Sequence, residues 1–269
     1  MKIVAIMPVR NEAWCLGLTA RAALMWCDDV IVREQPAGPW NEMEHRQYLL
    51  DAARSEGATH IAIIDADELV TGTVLPRMRG LCEALALGWM LELPQINLSG
   101  NVDTMIAGGI WNNQNTAMVF RDEPAARWAA SGDGYQHHGR APQGVNWRAL
   151  RGPAGIMHLQ MLNERRLRAK QLLYCLNDTM RWPGRRTPEQ TRLYYSWAVY
   201  GWQPPQALHG VNTIKQPTAP VPAEWWEPYR ELLPNLKPDT EPWQLAECRR
   251  IVRENNGIME GLDDFGVEL

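Results

Sequence analysis

Several features that would assign this chain to other classes of protein are missing from its sequence. No apolar run approaches the roughly 18 residues of a membrane span. The short apolar run at the start ends at Pro8 without a small-residue cleavage site after it. The five cysteines are scattered and form no CxxC pair, which disfavours a structural zinc site and favours reduced thiols. These absences predict a cytoplasmic protein, in the host cytoplasm if the chain is phage-encoded, and they leave the oligomeric state open.

Charge and local composition exclude further classes. The formal net charge of -4 at pH 7 gives no general case for nucleic-acid binding. Internal repeats and low-complexity tails are absent from the sequence. The turn from Pro8 to Glu12 also lacks the Gly-rich phosphate loop and catalytic Lys that a nucleotidyl- or phosphotransferase would need. What is present, 269 residues of which 45% are hydrophobic, is typical of a globular protein with a substantial core.

Strand and helix patterns alternate along the first third of the chain. A continuous apolar run at 3–7 is typical of a strand covered on both faces. The later segments, in chain order, are a helix at 12–26, a strand at 30–32, a helix from Asn41 to Glu56, a strand at 60–64, a helix at 75–87 and a strand at 89–93. This alternation predicts an α/β fold with a mainly parallel sheet.

The pattern loosens after residue 97. From 97 to 155 the sequence predicts Gly-rich loops with one strand at 116–120. Helices are then expected to start at Asn163, at Thr187 and near Glu241. We therefore divide the chain into an α/β core, 1–160, and a helical C-terminal extension, 161–269, which together form one continuous domain.

The strongest functional motif is IAIIDADE, in which an apolar strand ends in Asp65 and Asp67. Ligands of parallel sheets bind outside the carboxyl ends of the strands. Carboxylates at such a place suit Mg²⁺ or Mn²⁺, and the ion would neutralise a diphosphate leaving group. In isolation the motif is short, and a plain strand-to-helix turn with an N-cap explains it at least as well.

The residues around this acidic pair resemble glycosyltransferase family 2. The first strand ends in Pro8-Val9-Arg10-Asn11-Glu12, a helix carries Glu44-His45-Arg46-Gln47-Tyr48, and the acidic pair closes the next strand. The resemblance covers residues 1–70 and continues weakly to 157–160. It implies a GT-A fold, with a Rossmann-like, mainly parallel mixed sheet flanked by helices, and the transfer of a sugar from a nucleotide-sugar donor to a hydroxyl acceptor.

The resemblance also implies roles for individual residues. Asp67 would bind the metal, Asp65 would contact the metal or the donor ribose, and His158 would complete the ion's shell; an ordinary, partly buried histidine is an equal interpretation of His158. The residues expected to contact the donor are Pro8, Arg10, Asn11, Glu12, Glu34, Arg46 and Asp65. Relatives usually carry an acidic, Ser- and Gly-rich turn after the second strand. In this chain Glu34 is the residue that could replace that turn in binding the nucleotide base. The sequence therefore does not define the base, and UDP is assumed by default.

An inverting transferase would also need a base that accepts the proton of the acceptor hydroxyl. Asp133 lies in a Gly-flanked loop and is the first candidate, with Asp122 and His137 as rivals. Each of them could equally be a solvated loop residue. A retaining transferase would need no such base, and the sequence is compatible with both stereochemical outcomes.

Basic and aromatic residues concentrate between 140 and 192, where the acids are only Glu164, Asp178 and Glu189. The plain interpretation is a solvated helix face. The sharper one is a polyanionic acceptor, such as DNA bearing a hydroxymethylated pyrimidine that the enzyme would flip out of the duplex. A glycan or lipid-linked acceptor, and a non-catalytic sugar- or nucleic-acid-binding module, stay open as alternatives.

Overall fold

The computed structural model describes residues 1–35, 41–108, 114–129, 140–149, 154–187, 190–191, 194–195, 217–237 and 241–255. The chain divides into two compact units that interleave along the sequence. The first unit comprises residues 1–96, 113–159 and 221–237, and the second comprises 97–112, 160–220 and 238–269. Each unit is therefore built from segments that are distant in the sequence.

A mixed sheet forms the centre of the first unit. Its strands are β1 (Ile3–Val9), β2 (Asp29–Glu34), β3 (His60–Ile63), β4 (Glu68–Val70), β5 (Trp89–Ser99), β7 (Asn115–Arg121), β8 (Asn146–Ala149) and β9 (Ile156–His158); β6 (Asn101–Ile106) and β10 (Thr218–Pro220) belong to the second unit. The order β2-β1-β3 is parallel, β7 lies antiparallel between β3 and β5, and β8 runs parallel to β5. Beside this path, β4 pairs antiparallel with β9.

The helices are α1 (Leu16–Ala23), α2 (Glu42–Ser55), α3 (Met78–Glu83), α4 (Glu164–Arg181), α5 (Ala223–Trp226) and α6 (Trp243–Glu254), with 3₁₀ segments at Leu75–Arg77 and Glu227–Asn235. Of these helices, α4 and α6 lie in the second unit. In the part of the chain that the structure describes, none of them is both long and apolar enough to cross a membrane.

Helix α2 shows how local sequence sets these boundaries. The Asn41 side chain accepts a hydrogen bond from the backbone N–H of Glu44 at 3.3 Å, as expected of an N-cap. After the helix, Gly57 adopts a φ of 74°, a conformation that glycine reaches without strain. The buried side of α2 packs on β1 and β2, and Leu49, Leu50 and Ala53 join the apolar core there. The helix that the sequence predicts from Asn41 to Glu56 is confirmed.

The second unit contains its own small core. Asn163 caps α4 by accepting a hydrogen bond from the N–H of Arg166 at 3.0 Å. Helix α4 packs against α6 through a cluster that includes Leu172, Leu176, Cys248 and Ile251. The end of β5 pairs antiparallel with β6, and β6 pairs with β10. The predicted helix starting at Asn163 is confirmed.

The α/β class, with a mixed sheet flanked by helices, is confirmed and is consistent with a GT-A-like fold. The region from 97 to 155 contains β6 and β8 besides the one strand predicted at 116–120. Their sequences carry little apolar signal because few of their side chains are buried: all four residues of β8 are exposed, and in β6 only Ile106 is buried.

Candidate functional site

The site lies where the three parallel strands of the first unit end side by side. In the register of β1 and β2, Pro8 pairs with Arg33 and Val9 pairs with Glu34, so the turn after β1 lies beside the end of β2. Asp65 and Asp67 follow the end of β3 on the other side of β1. The strand order therefore brings the turn after β1, Glu34 and the two aspartates together at the carboxyl ends of these strands.

The turn after β1 is held in an unusual conformation. Asn11 has a φ of 52°, in the left-handed region that asparagine tolerates better than most residues. Its backbone N–H donates to the Glu34 carboxylate at 2.7 Å, which fixes the turn to the end of β2. The Glu12 carboxylate accepts from the Trp14 indole at 2.7 Å, and the Glu12 carbonyl accepts from the N–H of Leu16 at the start of α1.

Two arginines hold the Asp65 carboxylate. Arg46 on α2 donates to Oδ1 at 2.8 Å and Arg140 donates to Oδ2 at 2.8 Å. Burial raises the pKa of Asp65, but the attraction of Arg46 and Arg140 outweighs it and lowers this pKa to about 2. Asp65 is therefore ionised at neutral pH and is already satisfied by cationic donors.

Arg46 is the most deeply buried cation of the site, with 2% of its surface exposed. Its Nε donates to the Glu42 carboxylate at 2.8 Å, one helical turn earlier on α2. Among the described residues, its Nη1 has no hydrogen-bond partner. A buried guanidinium N–H of this kind is a donor for which a ligand could supply the acceptor.

Arg140 belongs to the basic stretch at 140–192, and no motif around it indicates that it is a site residue. This side chain forms a double contact with the Glu68 carboxylate, and it also donates to the carbonyls of Ile63 at 3.0 Å and Ala117 at 2.8 Å. Burial raises the pKa of Glu68 above its ordinary value, against the lowering effect of Arg140. Arg140 thus connects the end of β3, the turn at 65–68, which we call the acidic turn, and β7.

Helix α1 fixes the middle of the acidic turn. The carbonyl of Ala66, between the two aspartates, accepts hydrogen bonds from the Thr19 hydroxyl at 2.6 Å and from the Cys15 thiol at 3.0 Å. Thr19 and Cys15 are fully buried. Cys15 and Thr19 therefore fix the backbone orientation of the turn that follows β3.

Asp67 faces His158. Its Oδ2 lies 3.4 Å from Nε2 of His158, and both side chains are largely buried. The β4–β9 ladder pairs Glu68 with His158, and the N–H of Leu159 donates to the carbonyl of Asp67 at 2.8 Å. The predicted metal pair is thus brought together by two short strands that the sequence did not reveal.

Gln95 and Thr116 extend this pair into the sheet. The Gln95 amide lies 2.9 Å from Nδ1 of His158, and the Thr116 hydroxyl donates to the Gln95 carbonyl oxygen at 2.5 Å. A partner on one ring nitrogen sets the orientation of an imidazole and decides which nitrogen carries the proton. Neither Gln95 nor Thr116 belongs to a recognisable sequence motif. Their place next to His158 becomes visible only through the pairing of β5 with β7.

The predicted catalytic bases are not all part of this site. Asp122 lies next to Thr59, at the start of β3 and so at the opposite end of that strand, where both of its oxygens accept from Arg54 at 2.8 and 2.9 Å. The structure does not bring it to the acidic turn. Asp133 and His137 lie outside the described residues, so their role stays a prediction.

The described basic residues of 140–192 are divided between the two units. Arg140 and Arg148 belong to the first unit, and those from Arg165 onward belong to the second. Arg166 is buried on α4, so the solvated helix face expected there does not include it. In the described part of the chain, no three His, Cys, Asp or Glu side chains gather into a group that could hold a metal ion.

No family model and no curated protein matches the chain. Among solved structures, a crystal structure of Staphylococcus aureus TarS has a TM-score of 0.36 and 9% identity, over 76% of this chain and 44% of that one. A crystal structure of TarS 1-349 has a TM-score of 0.36 and 10% identity, over 74% of this chain and 72% of that one. The chain thus spans less than half the length of the first structure.

Proposed function

We propose that this chain is a metal-dependent glycosyltransferase that moves a sugar from a nucleotide-sugar donor, UDP-linked by default, to a hydroxyl acceptor. The observation that carries the proposal is the contact of Asp67 with His158, 3.4 Å apart at the carboxyl edge of a parallel sheet and beside a buried arginine. A carboxylate, an imidazole and a cation at this edge together suit a diphosphate and its counter-ion.

The donor set of Asp67 and His158 is compatible with Mn²⁺ or Mg²⁺. The ligand atoms of an octahedral ion with bonds of about 2.1 Å are about 3 Å apart at adjacent positions, close to the separation of the two side-chain atoms. Such an ion commonly takes one or two protein ligands and completes its shell with water and substrate phosphates. When bound, it would neutralise the charge that develops on the nucleoside diphosphate.

Asp65 has a different role in this proposal. Because each of its oxygens accepts from an arginine, its charge is already neutralised, and a metal ion bound there would be repelled by two guanidinium groups. We place the ion on Asp67 and His158 and assign Asp65 to the orientation of Arg46. Arg46 then offers its Nη1 to the donor phosphates, since that atom has no protein partner among the described residues.

The acceptor side of the proposal rests on the sequence. Asp133 is proposed as the base that takes the proton of the acceptor hydroxyl, because Asp122 is committed to Arg54. A hydroxymethylated pyrimidine in DNA is the proposed acceptor. A glycan or lipid-linked hydroxyl is the alternative, and it would use the same donor site.

A donor screen tests the proposal. The protein would be incubated with Mn²⁺ and a panel of nucleotide sugars, with and without hydroxymethylated DNA, and the release of nucleoside diphosphate measured. We expect release with one nucleotide class, its loss on chelation, and its increase when the acceptor is added.

Asp67→Asn should abolish this release while the thermal unfolding temperature changes little. The matched control is Asp51→Asn on α2. It makes the same chemical change at a carboxylate that is far more exposed than that of Asp67. Release that survives Asp67→Asn would remove the assigned ion site. Binding of a nucleotide sugar without release under any condition would indicate a binding module instead of an enzyme.

A further inference from the structure

A group of arginines and aromatic residues in the second unit takes no part in the site described above. It lies where α4 ends, and its members are Arg181, Trp182, Arg185, Arg186 and Tyr194. We call this group the arginine–aromatic cluster. Trp182 caps the end of α4, and the turn after it contains Gly184 with a φ of 86°, so the arginines on both sides of the turn are close to the same rings.

Aromatic rings hold the three guanidinium groups. The guanidinium carbons of Arg181 and Arg185 lie 5.4 and 5.1 Å from the centroid of the Trp182 ring, and that of Arg186 lies 4.3 Å from the Tyr194 ring. Stacking of this kind restricts a long side chain while leaving the edge of the guanidinium, with its N–H donors, available for a ligand. Arginines ordered before binding lose less entropy when they bind phosphate.

Among the described residues, the carboxylate that contacts these arginines is Asp178, 2.7 Å from Arg186 and 3.9 Å from Arg185. Asp178 is buried, whereas Arg181 and Arg185 lie exposed on the surface of the second unit. The attraction of a helix C-terminus for cations would account for Arg181, but it does not explain three arginines around one turn.

Tyr194 adds an accessible ring beside these cations. It is 42% exposed, and its ring packs edge-on against Tyr195 with centroids 5.0 Å apart. An exposed ring supported by a neighbouring aromatic and flanked by guanidinium groups can stack with a nucleobase, while the arginines contact the phosphates on either side. A chain that carries phosphates alone would make no use of this ring.

We propose that the arginine–aromatic cluster is a docking surface for single-stranded nucleic acid, in which Arg181, Arg185 and Arg186 bind backbone phosphates and Tyr194 stacks with a base. This inference deepens the proposed function, since it gives the DNA acceptor a place to bind. It does not depend on transfer, because docking requires neither the donor nor the metal.

Fluorescence anisotropy with a labelled 20-nucleotide oligothymidylate tests the proposal, over a series of salt concentrations and without donor or metal. The test variant is Arg181→Gln with Arg185→Gln, which keeps the Arg186–Asp178 pair and so leaves no buried carboxylate unpaired. We expect affinity to fall at least tenfold at low salt. The slope of log affinity against log salt should become shallower by about 1.4, because two phosphate contacts are lost.

The matched control is Arg249→Gln with Arg250→Gln on α6, which makes the same change in net charge in the same unit. Those arginines are already paired with Glu241, Glu247 and Glu254, so affinity should change less than twofold. Equal losses in the two variants would show that binding follows net charge alone, and would overturn the proposed surface. So would a failure of the wild-type protein to bind.

The nature of the partner is tested with an abasic phosphodiester oligomer of the same length. The oligothymidylate should bind at least about fivefold more tightly, and Tyr194→Leu should remove that difference. If both oligomers bind equally to the wild-type protein, the cluster recognises phosphate chains in general, as in a phosphodiester-linked glycan, and nucleic acid is the wrong partner. Binding without nucleotide release in the donor screen would preserve this inference while the proposed transfer fails.

Discussion

At the scale of single residues, the candidate site is governed by how each charged group is paired. Asp65 and Glu68 follow one short strand, yet their carboxylates are shared between Arg46 and Arg140, while Asp67 turns to His158. Three carboxylates within four positions would repel one another if all were left unpaired. The two arginines bind the carboxylates of Asp65 and Glu68 and so hold the turn, while the carboxylate of Asp67 faces the His158 imidazole.

The contact of Arg140 with Glu68 should be worth more to stability than an exposed ion pair. In Arg140→Gln the Glu68 carboxylate, 3% exposed, would be left largely unpaired, and breaking a buried pair in this way costs about 3–5 kcal/mol. The measurement is the free energy of unfolding in urea. Arg79→Gln is the control, since its pair with Asp28 is far more exposed and should contribute about 1 kcal/mol or less. Equal losses in the two variants would contradict the structural role of Arg140.

Gln95 should act on the ion through His158. In Gln95→Leu the imidazole loses the partner of its Nδ1, and we expect Mn²⁺ to bind about 10–100-fold more weakly. Isothermal titration with Mn²⁺ alone measures this effect without turnover. Gln95→Glu replaces the amide nitrogen that faces Nδ1 with a carboxylate oxygen, which can accept from Nδ1–H and leave Nε2 for the ion, so it should recover much of the affinity. An unchanged affinity in Gln95→Leu would show that Gln95 does not position the histidine.

His45 should make the protein less stable in mild acid. Burial, together with the nearby charges of Arg33 and Arg46, lowers the pKa of His45 from 6.5 to about 4. Between these two values the unfolded chain binds a proton that the folded protein does not. The free energy of unfolding should therefore fall as the pH is lowered from about 6.5 to about 4, by at most about 1.4 kcal/mol per pH unit from this group.

Urea unfolding at several pH values measures that slope. In His45→Gln the contribution of His45 is absent, so the curve should be flatter than that of the wild-type protein in the same interval. His60, whose pKa is also lowered by burial, still titrates in this variant and contributes to the residual slope, as do Glu68 and Glu92, whose pKa values are raised by burial. Identical slopes for the two proteins would show that His45 is not buried in its neutral form.

At the scale of elements, the sequence predicts what depends on neighbouring residues. The acidic pair after β3 and the Asn41 cap of α2 could be found because strand periodicity and capping are local. Arg140, Gln95 and Thr116 could not, since their partners lie 75, 63 and 21 positions away and meet only through strand pairing. The three-residue strands β4 and β9 are too short to show a period, yet they bring Asp67 and His158 together.

At the scale of the whole molecule, the first unit depends on a segment from late in the sequence. Residues 221–237 belong to it, and the Tyr229 hydroxyl donates to the carbonyl of Val70 at 2.9 Å. The N–H of Gly72 donates to the carbonyl of Trp225 at 2.8 Å, and the N–H of Lys237 donates to the carbonyl of Trp14 at 2.7 Å. An added Cβ at Gly72 would lie 2.3 Å from the Glu224 carbonyl oxygen, so this approach requires glycine.

A fragment that ends at residue 160 should consequently not fold on its own. It would leave the surface beneath Trp225, Trp226 and Tyr229 uncovered, and all three side chains are buried in the complete chain. We expect broad, non-cooperative thermal unfolding by circular dichroism. The same fragment joined through a flexible linker to residues 221–237 should recover a cooperative transition. A sharp transition in the short fragment would show that the late segment is dispensable.

This interleaving also has a consequence for synthesis. A ribosome must add roughly 60 residues beyond residue 160 before the segment that completes the first unit begins to emerge, which takes on the order of 3–12 seconds at common translation rates. During that interval the nascent chain carries a nearly finished sheet whose apolar flank has no cover. Such an intermediate is a natural client for chaperones, and slowing translation within 161–220 should prolong its exposure.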